Sequence, residues 1–399
     1  MITARRVVQF GFLTLTVAGV FLFRGNAERW CPFGGVEALH TYVTEGNLTC
    51  SLAVSNFYIL AGVLVMTLTL RRAFCGYMCP IGTISEWLQR GVARLGVRPV
   101  RLPYKLDRTL SLLKYPLVAI ILFFTYKTAE LVFRGFDPCY ALISRHGEDI
   151  TFWAYVVSGG IIAGSLIVVM PFCRWLCPLA AVLNPFSRFG FTRITRTEEA
   201  CVDCGKCAVA CPMAIPVNKV RQVTAARCLS CLSCIEACPA GETGAVSWGP
   251  PGLVGRRWPV GILIAVLLFC TATAVAASYL FPLPSFTKTR GRKPAETATA
   301  ELAIHNLACR GNANLLMYYL ERDDMFEIPG FIKLEAWPGP GTARARITYD
   351  PLRCDEATIK HAITEPYYDA LGGLWRLSPF QIEGYDPLGT TEGDTTRDP

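Results

Sequence analysis

Residues 201–212 read CVDCGKCAVACP and residues 228–239 read CLSCLSCIEACP, two copies of the spacing CxxCxxCxxxCP. Three thiols at that spacing can wrap one face of a cubane iron–sulfur cluster. The fourth, before proline, ligates the partner cluster when two such runs occur together. The chain must therefore fold so that each run lends its last cysteine to the other. The expected ligand sets are Cys201, Cys204, Cys207 and Cys238, and Cys228, Cys231, Cys234 and Cys211. Zinc sites use paired CxxC units with a longer gap, and disulfides do not persist in a reducing compartment. Two [4Fe-4S] clusters are the expected cofactors, and such clusters pass single electrons.

The setting is apolar. Over 399 residues the mean hydropathy is +0.34, hydrophobic residues make up 52% and charged residues 18%. This composition points to an integral membrane protein carrying soluble parts. The expected fold class is mainly α with about five transmembrane helices, at Val7–Phe23, Val54–Leu70, Tyr115–Phe133, Trp153–Phe172 and Val260–Phe281. Gly25 and Ala27 offer a signal-peptide reading of the first, which Arg24 and the motifs that follow oppose. Lys and Arg crowd the segments between spans two and three and between spans four and five. The positive-inside rule then puts the N-terminus and the cysteine runs in the cytoplasm and the C-terminal part outside. Lys288, Arg290, Arg292 and Lys293 run against that bias. The net charge of +8 needs no nucleic acid to explain it, because no basic–aromatic surface pattern accompanies it.

The membrane part repeats. WCPFGGVEALH precedes a span that ends in FCGYMCP, and FDPCYALISRH precedes a span that ends in FCRWLCP. Membrane proteins built from repeats commonly place one site between the halves. Cys75, Cys79, Cys173 and Cys177 form two CxxxCP motifs, and a spacing of four puts both thiols on one helix face. Three readings stand: ligands to a third cluster or metal, a redox-active dithiol pair, or buried packing. In the outer loops, Cys31 with Cys50 is a candidate disulfide. His40 and His146 are candidate metal, haem or quinone ligands, or plain polar loop residues. Lys127 and Glu130 are ionisable groups near the end of span three, where snorkelling also accounts for them. Mid-span Cys270 reads as packing.

The expected organisation is a repeat-built membrane region over 1–195, a cytoplasmic cluster module over 196–245 and a fifth span over 258–282. A linker over 283–300, a compact domain over 301–386 and a polar tail over 387–399 follow. The compact domain reads as strand Leu302–Asn306, helix Asn312–Glu321, strands Phe331–Ala336 and Arg344–Tyr349, helix Asp355–Thr364 and strand Trp375–Ile382. That order, βαββαβ, is a ferredoxin-like α+β sandwich.

FCGYMCPIG, FCRWLCPLA and the paired cysteine runs together resemble the membrane polyferredoxins of the NapH, MauN and FixG type, over residues 1–282. The resemblance implies a cytoplasmic cluster-bearing face, electron transfer at or through the membrane, and exchange with quinol. The C-terminal domain resembles a heavy-metal-associated domain, with Cys309 at the first position of its CxxC and Asn312 at the second. Met317 and Cys354 are the other soft side chains there. The expected protein is an oxidoreductase component of the bacterial cytoplasmic membrane, with no catalytic triad or nucleotide loop. It would pass electrons between its clusters and a quinone, or an outer metal ion, disulfide or redox protein. Its expected partners are lipid, the quinone pool or a membrane redox complex, and an exported metalloprotein. The alternatives are a metal-handling or maturation factor for a metal such as copper, and a redox sensor.

Overall fold

Long apolar helices and short helices started by proline set the frame of the first part of the chain. The computed structural model describes residues 2–22, 30–45, 48, 51–97, 99–100, 102–128, 131–143, 150–240, 243–250, 258–290, 296–308, 310–321, 328–339, 341–369 and 374–386. The chain divides into two units, Met1–Glu37 with Ser55–Phe281, and Ala38–Val54 with Pro282–Pro399.

In chain order the helices are α1 (Ile2–Phe21), α2 (Pro32–Glu45), α3 (Ser51–Leu70), α4 (Ala73–Tyr77), α5 (Pro80–Arg94), α6 (Tyr104–Leu110) and α7 (Lys114–Thr128). Then come α8 (Pro138–Ile143), α9 (Phe152–Ile167) and α10 (Pro178–Arg188). The cysteine runs carry the one-turn helices α11 (Lys206–Val209) and α12 (Ser233–Glu236), flanked by strands β1 (Arg193–Arg196) and β2 (Val246–Gly249). Helix α13 (Val260–Leu280) closes the first unit.

Among the described residues, three helical stretches are long and apolar enough to cross a membrane: Ala4–Phe21, Tyr104–Thr128 (α6 and α7 with the turn between them) and Val260–Leu280. The apolar helices Val54–Leu70 and Phe152–Ile167 are shorter. The stretch expected to run to Phe172 ends at Ile167, because Val168 is extended and Pro171 denies the next turn a backbone N–H. The stretch expected to run from Tyr115 to Phe133 is helical only to Thr128, and a separate 3₁₀ turn spans Val132–Phe136.

Helices meet closely where glycine allows it. A Cβ on Gly35 would lie 2.3 Å from the Asn56 carbonyl oxygen and 2.6 Å from Leu60 Cβ. A Cβ on Gly62 would lie 2.7 Å from Ala274 Cβ. Cys270, buried on the same face of α13 as Ala274, belongs to this packing.

The second unit has strands β3 (Phe286–Thr289), β4 (Ala298–His305), β5 (Phe331–Trp337), β6 (Thr342–Tyr349), β7 (Tyr367–Asp369), β8 (Leu374–Arg376) and β9 (Gln381–Ile382). Helices α14 (Arg310–Glu321) and α15 (Glu356–Thr364) complete it. The main sheet runs β3-β5-β6-β4-β9, with antiparallel neighbours throughout. Alternation along TARARITY buries Ala343, Ala345, Ile347 and Tyr349 against the core. The strand expected over Trp375–Ile382 is instead split into β8 and β9, because Pro379 cannot donate to a ladder. Met317 and Cys354 lie in this core, and Cys309 falls outside the described residues.

The close approach at Gly35 predicts a sharp asymmetry. Gly35→Ala lowers the thermal midpoint of the detergent-solubilised protein. Gly91→Ala, whose Cβ would meet nothing within 4 Å, leaves it unchanged or raises it. A melting series on the two variants checks this.

Candidate metal centres

The two cysteine runs fold alike. Asp203 and Gly205 stand on either side of Cys204 with φ of 48° and 70°, and Ser230 and Leu232 stand on either side of Cys231 with φ of 48° and 59°. Left-handed residues at matching positions curl each loop around its own cysteines, a strained path that a side chain adopts only when its surroundings impose it. Antiparallel pairing of β1 with β2 brings the two ends of the module together.

Thiols of the two runs lie close to one another, within a run and across runs. Burial raises Cys207 first, and then Cys238 and Cys201 do so through their charge. Burial also pushes Cys211 up to about 12, with Cys231 and Cys228 adding to it. Cys234 is raised by burial, then by Cys231, Cys211, Cys228 and Cys207, so the two groups of thiols adjoin. One pocket is lined by Cys211, Cys228, Cys231 and Cys234 among apolar neighbours such as Met213 and Ile215. Cys204 is exposed. Among the described residues, no three Cys, His, Asp or Glu side chains close to the spacing of a single bound ion.

The CxxxCP cysteines come from four different local structures and converge. Cys75 lies in α4, and Cys79 immediately precedes Pro80 at the start of α5. Cys173 lies in a wide turn over Phe172–Leu176, and Cys177 immediately precedes Pro178 at the start of α10. Cys173 is raised by burial, then by Cys177, Cys79 and Cys75, so all four thiols lie within electrostatic reach of one another. Burial likewise raises Cys79 to about 12 and Cys177 to about 11.

A cation sits among them. Arg72 is fully buried; its Nη2 lies 3.9 Å from Cys75 Sγ, and its Nη1 donates to Asn184 Oδ1 at 3.3 Å. Burial acts to lower its pKa, and Cys75, Cys177 and Cys173 more than offset this. Among the described residues no carboxylate pairs with it. A buried guanidinium needs an anion, and four neutral thiols supply none. Four thiolates on a cluster do, so the donor set and its counter-charge fit an iron–sulfur centre.

The module is pinned directly beside this quartet. Arg71, also buried, donates to the carbonyl oxygens of Val223 and Ala225. Arg72 N donates to Cys228 O at 3.4 Å, and Tyr77 Oη donates to Ser230 O at 3.3 Å. A Cβ on Gly76 would lie 3.2 Å from Leu229 Cβ and 3.8 Å from Cys231 Cβ. Arg5 bridges Glu86 at 2.6 Å and Ser233 Oγ at 3.2 Å. Fully buried Asp107 accepts from Arg174, from Trp175 Nε1 at 2.8 Å, and from Arg227 of the module.

Away from the module, Cys31 Sγ donates to Asp137 Oδ2 at 3.4 Å, and Cys139 N donates to Asp137 Oδ1 at 2.8 Å. Glu37 is buried and accepts from Thr125 Oγ1 at 2.8 Å and from Phe133 N at 3.0 Å. Lys127 is exposed, with Nζ 5.9 Å above the Phe123 ring. His40 is half-buried on α2. Cys50, Glu130 and His146 lie outside the described residues, so the expected Cys31–Cys50 pair does too. Sequence reasoning missed Arg72, Asp107 and Asp137. Asp137-Pro138 carried a signal, since it occupies the repeat position of Cys31-Pro32.

Comparison with known proteins follows these lines. A sequence profile described as "4Fe-4S binding domain" matches residues 52–103 and 150–196, once over each CxxxCP half. A second, "4Fe-4S dicluster domain", matches residues 193–239. YccM of Escherichia coli (strain K12) is 30% identical over 259 residues, 61% of this chain and 71% of that protein. The ferredoxin-type protein NapH of the same organism is 22% identical, over 59% of this chain and 85% of its own length. The chain belongs to the membrane polyferredoxins of the NapH and MauN type. The polyferredoxin is also 25% identical to the methylamine utilization ferredoxin-type protein MauN of Methylobacillus flagellatus, over 45% of this chain and 60% of that one. No solved structure matches it. It is a membrane iron–sulfur protein of electron transfer.

Asp107 is the pin whose loss the polyferredoxin should tolerate least. Asp107→Asn strands Arg174 and Arg227 without their carboxylate, a loss of about 3–5 kcal/mol. Faster amide hydrogen exchange across residues 193–249 is the expected readout, and unchanged protection would contradict the pinning role.

Proposed function

We propose that the chain carries three iron–sulfur centres in a line and passes electrons along it. Cys201, Cys204, Cys207 and Cys238 hold the first; Cys228, Cys231, Cys234 and Cys211 hold the second. Cys75, Cys79, Cys173 and Cys177 hold the third. The observation that carries this reading is the gathering of four CxxxCP thiols around buried Arg72, directly behind the Cys228–Cys231 loop. Clusters, when bound, supply one-electron storage at each point. The chain's own part is to hold them close, exclude water and balance their charge with Arg71 and Arg72.

Exchange with a quinone is the favoured entry or exit. A cavity of about 360 Å³ lined by Glu86, Gln89, Arg90, Ser233 and the ligand Cys211 supports it, being of the size small-molecule sites take. The distribution of Lys and Arg favours five spans in the bacterial cytoplasmic membrane, with the module cytoplasmic and the last domain outside. Domain limits at 196–245 and 301–386 suit this arrangement. The βαββαβ order and the sheet order β5-β6-β4-β9 support a ferredoxin-like domain of the heavy-metal-associated kind, suited to docking an exported redox partner.

Iron and acid-labile sulfide quantification, with EPR, tests the three-centre reading. About twelve irons per chain are expected, falling to about eight in the Cys75→Ser/Cys173→Ser protein. Eight irons in both would remove the third centre.

A further inference from the structure

Among the described residues, four helices start within the first unit at an X-Pro step: Cys31-Pro32 (α2), Cys79-Pro80 (α5), Asp137-Pro138 (α8) and Cys177-Pro178 (α10). Proline is preorganised for the first helical position, and the residue before it presents its side chain to the free N–H groups. Cys79 and Cys177 are matching positions in the two halves, and so are Cys31 and Asp137. The second half thus has a carboxylate where the first has a thiol, and Cys139 returns a thiol two residues later.

Asp137 joins the two halves. It is buried, one oxygen accepts from Cys31 Sγ at 3.4 Å, and the other accepts from Cys139 N at 2.8 Å. Both cysteines are half-buried free thiols. Cys139 lies within electrostatic reach of Cys31 on one side and of Cys79 in the quartet on the other. The first turn of α2 packs through Gly35 on Asn56 and Leu60, and Leu60 is ten residues before the end of α3 at Leu70. At helical rise that is about 15 Å along α3 from the segment that leads into Arg71 and Arg72. The site therefore stands one step beyond the quartet, away from the cysteine runs.

We propose that Cys31 and Cys139 form a dithiol–disulfide couple at the far end of the cluster line, with Asp137 as its proton acceptor. The proposal rests on the three-centre reading. On oxidation the two thiols lose two protons and two electrons and an S–S bond forms. Oxidised clusters take the electrons one at a time, Asp137 takes one proton from Cys31, and the other is released. In reverse, two electrons delivered singly by reduced clusters, with two protons, split the bond. The couple would convert the one-electron traffic of the clusters into a two-electron exchange with a dithiol or disulfide of a partner.

Differential alkylation and mass spectrometry of the full-length protein test this without relying on turnover. After anaerobic purification and oxidation with ferricyanide, the Cys31 and Cys139 peptides should be disulfide-linked; after dithionite reduction both should be alkylated. A Cys31–Cys50 link, or alkylation of both in every state, overturns the proposal. Coulometric titration should find two fewer electrons in Cys31→Ser and in Cys139→Ser than in wild type, with the iron content unchanged as the check on folding. Asp137→Asn should retain the link at equilibrium but form it about a hundredfold more slowly. An unchanged rate removes Asp137 from the proton step. Loss of the third centre would show in the iron count, while the linkage is read separately.

Discussion

Two adjacent buried guanidiniums, Arg71 and Arg72, hold the rest of the first unit in place. Removing an arginine from water costs several kcal/mol unless its charge and donors are met. Arg71 offsets part of this cost with two carbonyl oxygens of the cysteine-run module, and Arg72 with the thiol quartet and Asn184. One dipeptide at the end of α3 thereby fixes the module to the helices and places a positive charge where four thiols need it. Asp107 and Glu86 extend the same logic outward, each collecting donors from distant parts of the chain.

Proline-started helices explain how so many thiols reach one region. Each X-Pro step ends an irregular segment and aims the residue before it at a helix N-terminus, whose partial positive charge favours an anion. Cys31, Cys79, Asp137 and Cys177 all occupy that place. The two halves of the chain thus supply pairs of like residues to a shared interior, and the cysteine runs lie next to it. The result is a sequence of sulfur sites from exposed Cys204 to half-buried Cys31.

Much of this was legible in the sequence. The spacing of the paired cysteine runs marked a two-cluster module, and the 4Fe-4S dicluster match over residues 193–239 agrees. The apolar stretches gave the helices, and TARARITYD gave a strand whose alternate side chains are buried. Span ends were less legible: the hydrophobic run to Phe172 conceals the break that Pro171 imposes. Long-range pairings were not legible. Nothing local marks Arg72 as the counter-charge of cysteines from both halves, or Asp107 as the anchor of Arg227 at a separation of 120 residues. Nor did anything local show that the Cys31 sulfur donates to the carboxylate of Asp137 in the other half.

The central claim is that Arg72 is the counter-ion of a cluster held by the CxxxCP cysteines. An EPR-monitored redox titration of wild type and Arg72→Gln measures this most directly. Removing the buried positive charge should lower the midpoint of one centre, the one absent from protein lacking Cys75 and Cys173, and leave the two module centres where they were. Equal shifts in all centres, or none in the third, would contradict it.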